Sequence, residues 1–283
     1  MADRVLFTHS RSSAIALMAL ALFTVAYLPV WRILFEKWSA SEEYNHAFLT
    51  LPIIIYIVWS KRHTLLDSRP TCTTPGLLLF LFATLLYLFA LLTQVHTLIA
   101  LAMYLAILGI TTYLLGIQAL HVLAVPLILF AMLIPVPDQL YTQLTFPLQL
   151  MMSQASEVIV RLAGVTIFRE GNVMHIPGKS FEMVEACSGL RSVITLMTLS
   201  VIMGYFMLRR TAGKLILFAW SIPAAILVNL VRVVTMILLY HFFNLDLTEG
   251  TLHTITGLAV FLVALLILFI VQQGLEAWET KKN

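Results

Sequence analysis

The sequence predicts an all-α polytopic membrane protein, and its composition and the spacing of its apolar runs support this fold class. Of the 283 residues, 60% are hydrophobic and only 11% are charged, whereas an average soluble domain is about 25% charged. Apolar runs of about 17 to 25 residues recur from end to end, and each can cross a bilayer core of about 30 Å. We therefore interpret residues 1–283 as a single membrane-embedded domain.

We predict about eight transmembrane helices. The second is short, and the fourth contains Gly109, which we expect to break it. The predicted crossings lie at about 14–34, 46–60, 76–93, 95–115, 119–135, 190–208, 214–240 and 251–273.

The distribution of basic residues predicts the orientation. If the N-terminus is cytoplasmic, 10 of the 17 Lys and Arg residues fall on the cytoplasmic side and 5 outside, while Arg191 and Arg232 lie in apolar runs. This bias follows the positive-inside rule and places both termini in the cytoplasm. The first run resembles a signal peptide, but no convincing cleavage site precedes Arg32, so we expect a retained anchor.

The connecting segments are predicted in chain order. Glu36 to His46 is expected to be a solvated outer loop whose Trp38 and Tyr44 lie at the membrane interface. The next three crossings carry almost no ionisable residues and are typical of scaffold. Residues 134–138 contain two prolines, which stop a helix.

An amphipathic helix follows, because polar residues recur at helical spacing from 139 to 164. We expect it to bend at Pro147 and to lie in the outer interface. Three short runs then predict a small β-meander before the sixth crossing. The runs are 165–168, 173–176 and 181–184, and Gly-Asn and Pro-Gly turn residues separate them.

The two cysteines fall on opposite sides of this topology. Cys72 is in a cytoplasmic loop and Cys187 is outside, so they cannot pair. A lone thiol in an oxidising compartment is either incidental or reactive. Cys187 precedes a helix and has Arg191 one turn further on, and both features stabilise a thiolate. The alternative is a small buried cysteine.

Arg232 and His253 are the two other candidate site residues. Arg232 lies inside an apolar run, about 12 Å from its outer end at Tyr240. Translocon insertion scales give about 2.5–3.5 kcal/mol for an arginine at mid-bilayer, and the cost at this depth is somewhat less. Asn229 shares its helix face. His253 begins the last crossing, and Gly257 below it lets another helix approach. Snorkelling of Arg232 and a simple interfacial role for His253 are the alternatives, and His46, His175 and His241 are rival histidines.

Together these groups suit nucleophilic catalysis. Cysteine and histidine form a nucleophile with its base or acid, and arginine can stabilise an oxyanion. No HExxH motif or GxGD pair is present. A metal site on Cys187 and nearby histidines is possible but has no recognisable ligand spacing.

The blocks that carry these residues resemble the exosortases, membrane cysteine transpeptidases of Gram-negative bacteria. The resemblance covers most of the chain and is closest to the exosortase A branch, although YNHAF stands where the family more often has Tyr-Ser-His-Gly. The similar stretches are EACSGLRS, VNLVRV, LHTITG, PVPDQLYTQLTFPLQL, FREGNVMHIPG and YNHAFL.

The resemblance implies a catalytic part at about 138–273. Its triad would be Cys187 as nucleophile, Arg232 for the oxyanion or substrate positioning, and His253 as general acid/base. The implied substrates are exported proteins with a C-terminal Pro-Glu-Pro motif, an apolar helix and a basic tail. They would be cut at the periplasmic face of the bacterial inner membrane through a thioester. We expect Glu185, Ser188, Arg191 and Asn229 to help bind them, within the lipid bilayer and without a cofactor, a metal or nucleic acid.

A membrane transporter or polysaccharide-export subunit, with Arg232 lining a pathway, is the alternative function. Transporters often contain internal repeats, and none is found here. A fast-reacting outward thiol would distinguish the enzyme from the transporter.

Overall fold

A computed structural model describes residue 18 and residues 21–41, 43–66, 73–183, 190–248 and 250–281. The chain divides into two compact units, Met1–Pro135 and Val136–Asn283. The predicted catalytic part falls within the second unit.

The first unit is helical. Its elements are α1 (Leu28–Ala40), α2 (Ala47–Ser60), α3 (Arg62–Leu66), α4 (Thr74–Thr93), α5 (His96–Leu115), α6 (Ile117–Val122) and α7 (Ala124–Met132).

The second unit combines helices with a small sheet. Its elements are α8 (Asp138–Leu162), β1 (Phe168–Glu170), β2 (Val173–Ile176), β3 (Lys179–Glu182), α9 (Leu190–Met207), α10 (Thr211–Phe243) and α11 (Gly250–Lys281).

Four helices in the described part of the chain, α4, α5, α10 and α11, are long and apolar enough to cross a membrane. Helices α2 and α9 are apolar but shorter. The predicted crossing at 119–135 is instead two short helices that meet at Leu123. The break has a simple cause: Pro126 has no N–H to donate to the carbonyl of Val122 and suits only the first turn of a new helix. The predicted count of eight is therefore not confirmed.

Gly109 does not break the fourth predicted crossing, contrary to expectation. Helix α5 runs through it from His96 to Leu115. A Cβ atom at Gly109 would lie 2.6 Å from the backbone nitrogen of Phe80 in α4. The missing side chain therefore allows the α4 and α5 backbones to pack closely, and the surrounding helix tolerates the glycine.

The predicted outer loop from Glu36 to His46 is also corrected. Helix α1 continues to Ala40, and Trp38 and Tyr44 are buried, with 2% and 4% of their surface exposed. The indole Nε1 of Trp38 donates to the carbonyl oxygen of Leu133 at 2.9 Å. Both rings pack in the core of the first unit, where burial of their large apolar area stabilises the fold.

In the second unit, α8 confirms the predicted amphipathic helix. It begins directly after Pro137 and continues through Pro147. Its buried side chains recur every three or four residues on one face, and they pack against the sheet and α10. They are Tyr141, Thr145, Gln149, Met152, Ser153, Ser156 and Val160. The interfacial location of this helix stays a prediction.

The predicted β-meander is present as an antiparallel sheet in the order β1-β2-β3. Gly171 and Gly178 form the two turns with φ angles of +62° and +93°, a region where glycine pays no steric penalty. Met174, Ile176 and Phe181 point inward and pack against α10. The sheet thus brings the end of β3, which leads toward Cys187, against the helix that carries Arg232.

Helices α9, α10 and α11 form the second core of this unit. Val193, Leu196, Leu217, Ala264 and Leu268 are among its buried members. Since all three helices share this core, the residues at their ends are held in a defined relation.

Candidate functional site

Arg232 lies well inside the ends of α10, and only 8% of its surface is exposed. The helix extends to Phe243, beyond the predicted end at 240. Arg232 therefore lies eleven residues, or about 16 Å, from that end. This distance along the helix, from Arg232 to the helix end, exceeds the predicted 12 Å.

His253 lies in the first turn of α11 and contacts Arg232. The guanidinium Nη2 of Arg232 is 3.1 Å from the imidazole Nε2 and 3.5 Å from Nδ1. Nδ1 is also 3.1 Å from the carbonyl oxygen of Leu247. The structure thus brings together two of the three predicted catalytic side chains, which are 21 residues apart in the sequence.

The contact with Leu247 assigns the proton on Nδ1 of His253. A carbonyl oxygen can only accept, so the Nδ1–H donates to Leu247. Nη2 of Arg232 lies within 3.5 Å of both ring nitrogens, so it stands over the face of the imidazole and not in line with the lone pair of Nε2. In a neutral imidazole that carries its proton on Nδ1, Nε2 is the basic nitrogen, and it lies next to the guanidinium.

Arg232 keeps donor capacity beyond this contact. Its Nε is buried and has no hydrogen-bond partner among the described residues. A buried donor without an acceptor is costly, and it suits an acceptor that arrives with a substrate. A Cβ atom at Gly257, one turn below His253, would lie 3.7 Å from Nη2 of Arg232. This glycine therefore lets α11 pass close to the guanidinium.

The predicted substrate-binding residues are only partly described. Asn229 is buried one turn before Arg232, with 2% of its surface exposed. Arg191 is half-buried in the first turn of α9. Glu185, Cys187 and Ser188 lie outside the described residues, as does Cys72. Helix α9 begins at Leu190, three positions after Cys187 in the sequence.

The rival histidines have other partners. His46 belongs to the first unit, where Nδ1 contacts the carbonyl oxygen of Glu43 at 3.0 Å. His175 contacts Ser180 Oγ at 2.7 Å and lies 3.8 Å from Glu170. His241 packs edge-on against Phe242.

A polar cluster beside the site was not predicted. Lys179 in β3 donates through Nζ to the carboxylate of Asp246 and, at 2.7 Å, to Thr248 Oγ1. The contact with Lys179, together with hydrogen bonds from Thr248, holds the pKa of Asp246 at about 2. The Asp-Leu-Thr spacing is a sequence signal for an Asx turn, but nothing in the sequence pairs it with Lys179.

The arrangement can support acid–base chemistry next to a fixed positive charge. His253 can accept a proton at Nε2, and Arg232 can stabilise a developing negative charge nearby. Both groups come from helices that share one core with α9, the helix that follows Cys187.

A comparison with protein families finds a match. Residues 38–270 are similar to the family described as transmembrane exosortase (Exosortase_EpsH). No curated protein and no solved structure matches.

Proposed function

The chain belongs to the transmembrane exosortase family, and we propose that it is a membrane-embedded cysteine endopeptidase and transpeptidase. Its substrates are exported proteins with a C-terminal sorting signal of the Pro-Glu-Pro type. The observation that carries this proposal is the contact of 3.1 Å between Arg232 Nη2 and His253 Nε2. It places a permanent cation next to an imidazole inside the second unit, where a purely structural arginine would be costly.

The first step forms a thioester. The Cys187 thiol transfers its proton to Nε2 of His253. The thiolate attacks the carbonyl carbon of the scissile peptide bond, and Arg232 stabilises the oxyanion. The C–N bond then breaks, and the leaving amine takes the proton from the His253 imidazolium.

The second step transfers the acyl group. An acceptor amine donates its proton to His253 and attacks the thioester, and the Cys187 thiolate leaves. Water in place of the amine gives simple hydrolysis. In both steps His253 acts alternately as base and acid, and Arg232 keeps its charge throughout.

The remaining predicted residues bind the substrate in this proposal. Asn229 and Arg191 present polar groups from α10 and α9 toward the motif, and Glu185 and Ser188 flank Cys187 in the sequence. The site faces the periplasm of a bacterial inner membrane, with both termini in the cytoplasm. The basic-residue bias of the sequence supports this orientation.

Mass spectrometry of a co-expressed substrate tests the function. A substrate carrying the sorting signal should acquire a new C-terminus, or a new acceptor bond, only with an active enzyme. Cys187→Ala should insert into the membrane but leave the substrate uncut, since the nucleophile is gone. Cys72→Ala is the matched control and should process normally.

Two outcomes would refute the proposal. Full processing by the Cys187→Ala variant would exclude Cys187 as nucleophile. An uncut substrate with the wild-type protein, together with a Cys187 thiol that alkylates no faster than Cys72 in permeabilised vesicles, would favour the transporter alternative.

A further inference from the structure

The loop between α10 and α11 supplies the hydrogen-bond acceptor that orients His253. Helix α10 ends at Phe243, and Asn244 follows in the left-handed region with a φ of +54°. The Leu247 side chain is buried, with 8% of its surface exposed. Its carbonyl oxygen accepts from His253 Nδ1 at 3.1 Å. The position of this loop therefore decides which imidazole nitrogen carries the proton.

Lys179 in the sheet holds this loop on both sides of Leu247. It contacts the carboxylate of Asp246 and the hydroxyl of Thr248, the two neighbours of Leu247 in the sequence. The other carboxylate oxygen of Asp246 accepts from the Thr248 backbone N–H at 3.0 Å and from its hydroxyl at 2.6 Å. The short loop segment is thus tied together internally and to β3.

Lys179 is itself held in place by two aromatic rings. Its Nζ lies 5.3 Å from the ring centre of Phe181 and 5.5 Å from that of Tyr240. The hydroxyl of Tyr240 donates to the carbonyl oxygen of Gly178 at 3.3 Å. Only 21% of the Lys179 side chain is exposed. Four contacts therefore fix the ammonium group, so that it can position Asp246 rather than follow it.

We propose that Lys179 and Asp246 are positioning residues that act through the carbonyl oxygen of Leu247 to keep His253 in its Nδ1–H tautomer, with Nε2 unprotonated. The catalytic part of this inference rests on the proposed function. The tautomer itself does not.

The physical reason is the competition between the two neutral tautomers of imidazole. The Nδ1–H form is favoured here only while an acceptor stands in line with Nδ1. When the loop moves, Leu247 no longer accepts, and the proton can shift to Nε2. A nitrogen that already carries its proton, as in Nε2–H, cannot take a proton from a thiol. An orienting partner of this kind changes activity without touching the substrate.

Nitrogen-15 NMR of protein labelled at histidine in lipid nanodiscs tests the inference directly, because the two tautomers give distinct nitrogen shifts. His253→Gln identifies the signal. In the wild type, His253 should show a protonated Nδ1 and an unprotonated Nε2. In Asp246→Asn and Lys179→Met, the signal should shift toward a mixture of tautomers, whereas Lys179→Arg should restore most of the wild-type pattern.

The matched control is another ion pair on the same sheet. Arg169 Nε lies 2.8 Å from Glu157, and both side chains are about as buried as Lys179. Arg169→Met removes an equivalent contact without touching the loop. It should leave the His253 signal unchanged, which separates positioning from general loosening of the sheet.

Processing kinetics provide the second measurement. The Asp246 and Lys179 variants should lower kcat roughly 10- to 100-fold, the range found for partners that orient a functional imidazole, with little change in KM. The double variant Lys179→Met with Asp246→Asn should be no worse than either single variant, because both act through one contact. An unchanged His253 tautomer in folded Asp246→Asn protein would overturn the inference, whatever its activity.

The proposed function and the positioning role can be refuted independently of each other. A tautomer shift in a protein that never processes substrate would leave the positioning role intact and refute only the proposed function. A wild-type His253 that carries its proton on Nε2 would refute the positioning role and leave the peptidase proposal standing. If Asp246→Asn does not fold, Lys179→Met removes the same contact, and an unchanged His253 tautomer in that folded variant would overturn the inference.

Discussion

Replacement of Arg232 tests whether its guanidinium takes part in the reaction or only extends toward the membrane surface. Nη2 of the side chain lies 3.1 Å from His253 Nε2, and its buried Nε has no hydrogen-bond partner among the described residues. Arg232→Leu removes both donors and the charge, and it should insert more easily because leucine is favourable in hydrocarbon. Arg232→Lys keeps the charge but lacks the planar set of donors.

The expected loss can be estimated from these contacts. A hydrogen bond to a charged group contributes about 1.5–3 kcal/mol, and loss of one oxyanion donor costs about 2.7–4 kcal/mol, or roughly 100- to 1000-fold in rate. The two effects overlap because they share one guanidinium, so we expect Arg232→Leu to lose at least about 100-fold in kcat/KM. Arg232→Lys should lose at least about 10-fold.

The assay is single-turnover processing of a synthetic sorting-signal peptide by purified protein, with the amount of folded variant measured by size-exclusion chromatography. Both variants should accumulate to wild-type levels. Asn229→Ala is a useful comparison, because it removes a buried neighbour one turn away while leaving the cation in place. Normal processing by folded Arg232→Leu would remove Arg232 from the site and make Arg191 the next cation to test.

Two further predictions concern the rest of the second unit. The carboxylate of Glu279, which is 4% exposed, accepts from the backbone N–H groups of Arg209 and Arg210 at 2.9 and 3.1 Å at the start of α10. Glu279→Ala should therefore lower the unfolding free energy by about 1–3 kcal/mol; a thermal-melt change no larger than that of the exposed Glu276→Ala would contradict this. In a cysteine-free background, a membrane-impermeant maleimide should label His175→Cys but not Arg209→Cys in intact cells; the reverse pattern would overturn the proposed orientation.

Some elements could be predicted because their signals are local. The length of the apolar runs indicated the membrane-spanning helices α4, α5, α10 and α11. The polar periodicity of α8 and the Gly-Asn and Pro-Gly turns of the meander depend only on residues close in sequence. Helical and strand periods arise from backbone geometry, so a single sequence reveals them.

Other predictions were wrong because packing, rather than local propensity, decides them. Gly109 was expected to break a helix, but the close approach of Phe80 makes a glycine useful there. Trp38 and Tyr44 were expected at the interface, yet they are buried in the core of the first unit. The sequence does not show which partner an aromatic ring or a glycine will meet.

The candidate site could also be predicted only in part. Sequence alone singled out Arg232 and His253, because a lone cation in an apolar run and a histidine at a helix start are unusual in hydrocarbon. Only the tertiary structure places Nη2 of Arg232 against Nε2 of His253 and the carbonyl oxygen of Leu247 against Nδ1. The Lys179–Asp246 contact joins residues 67 positions apart. Hydrogen bonds depend on distances of a few tenths of an ångström between groups on different elements, and residue order alone does not contain those distances.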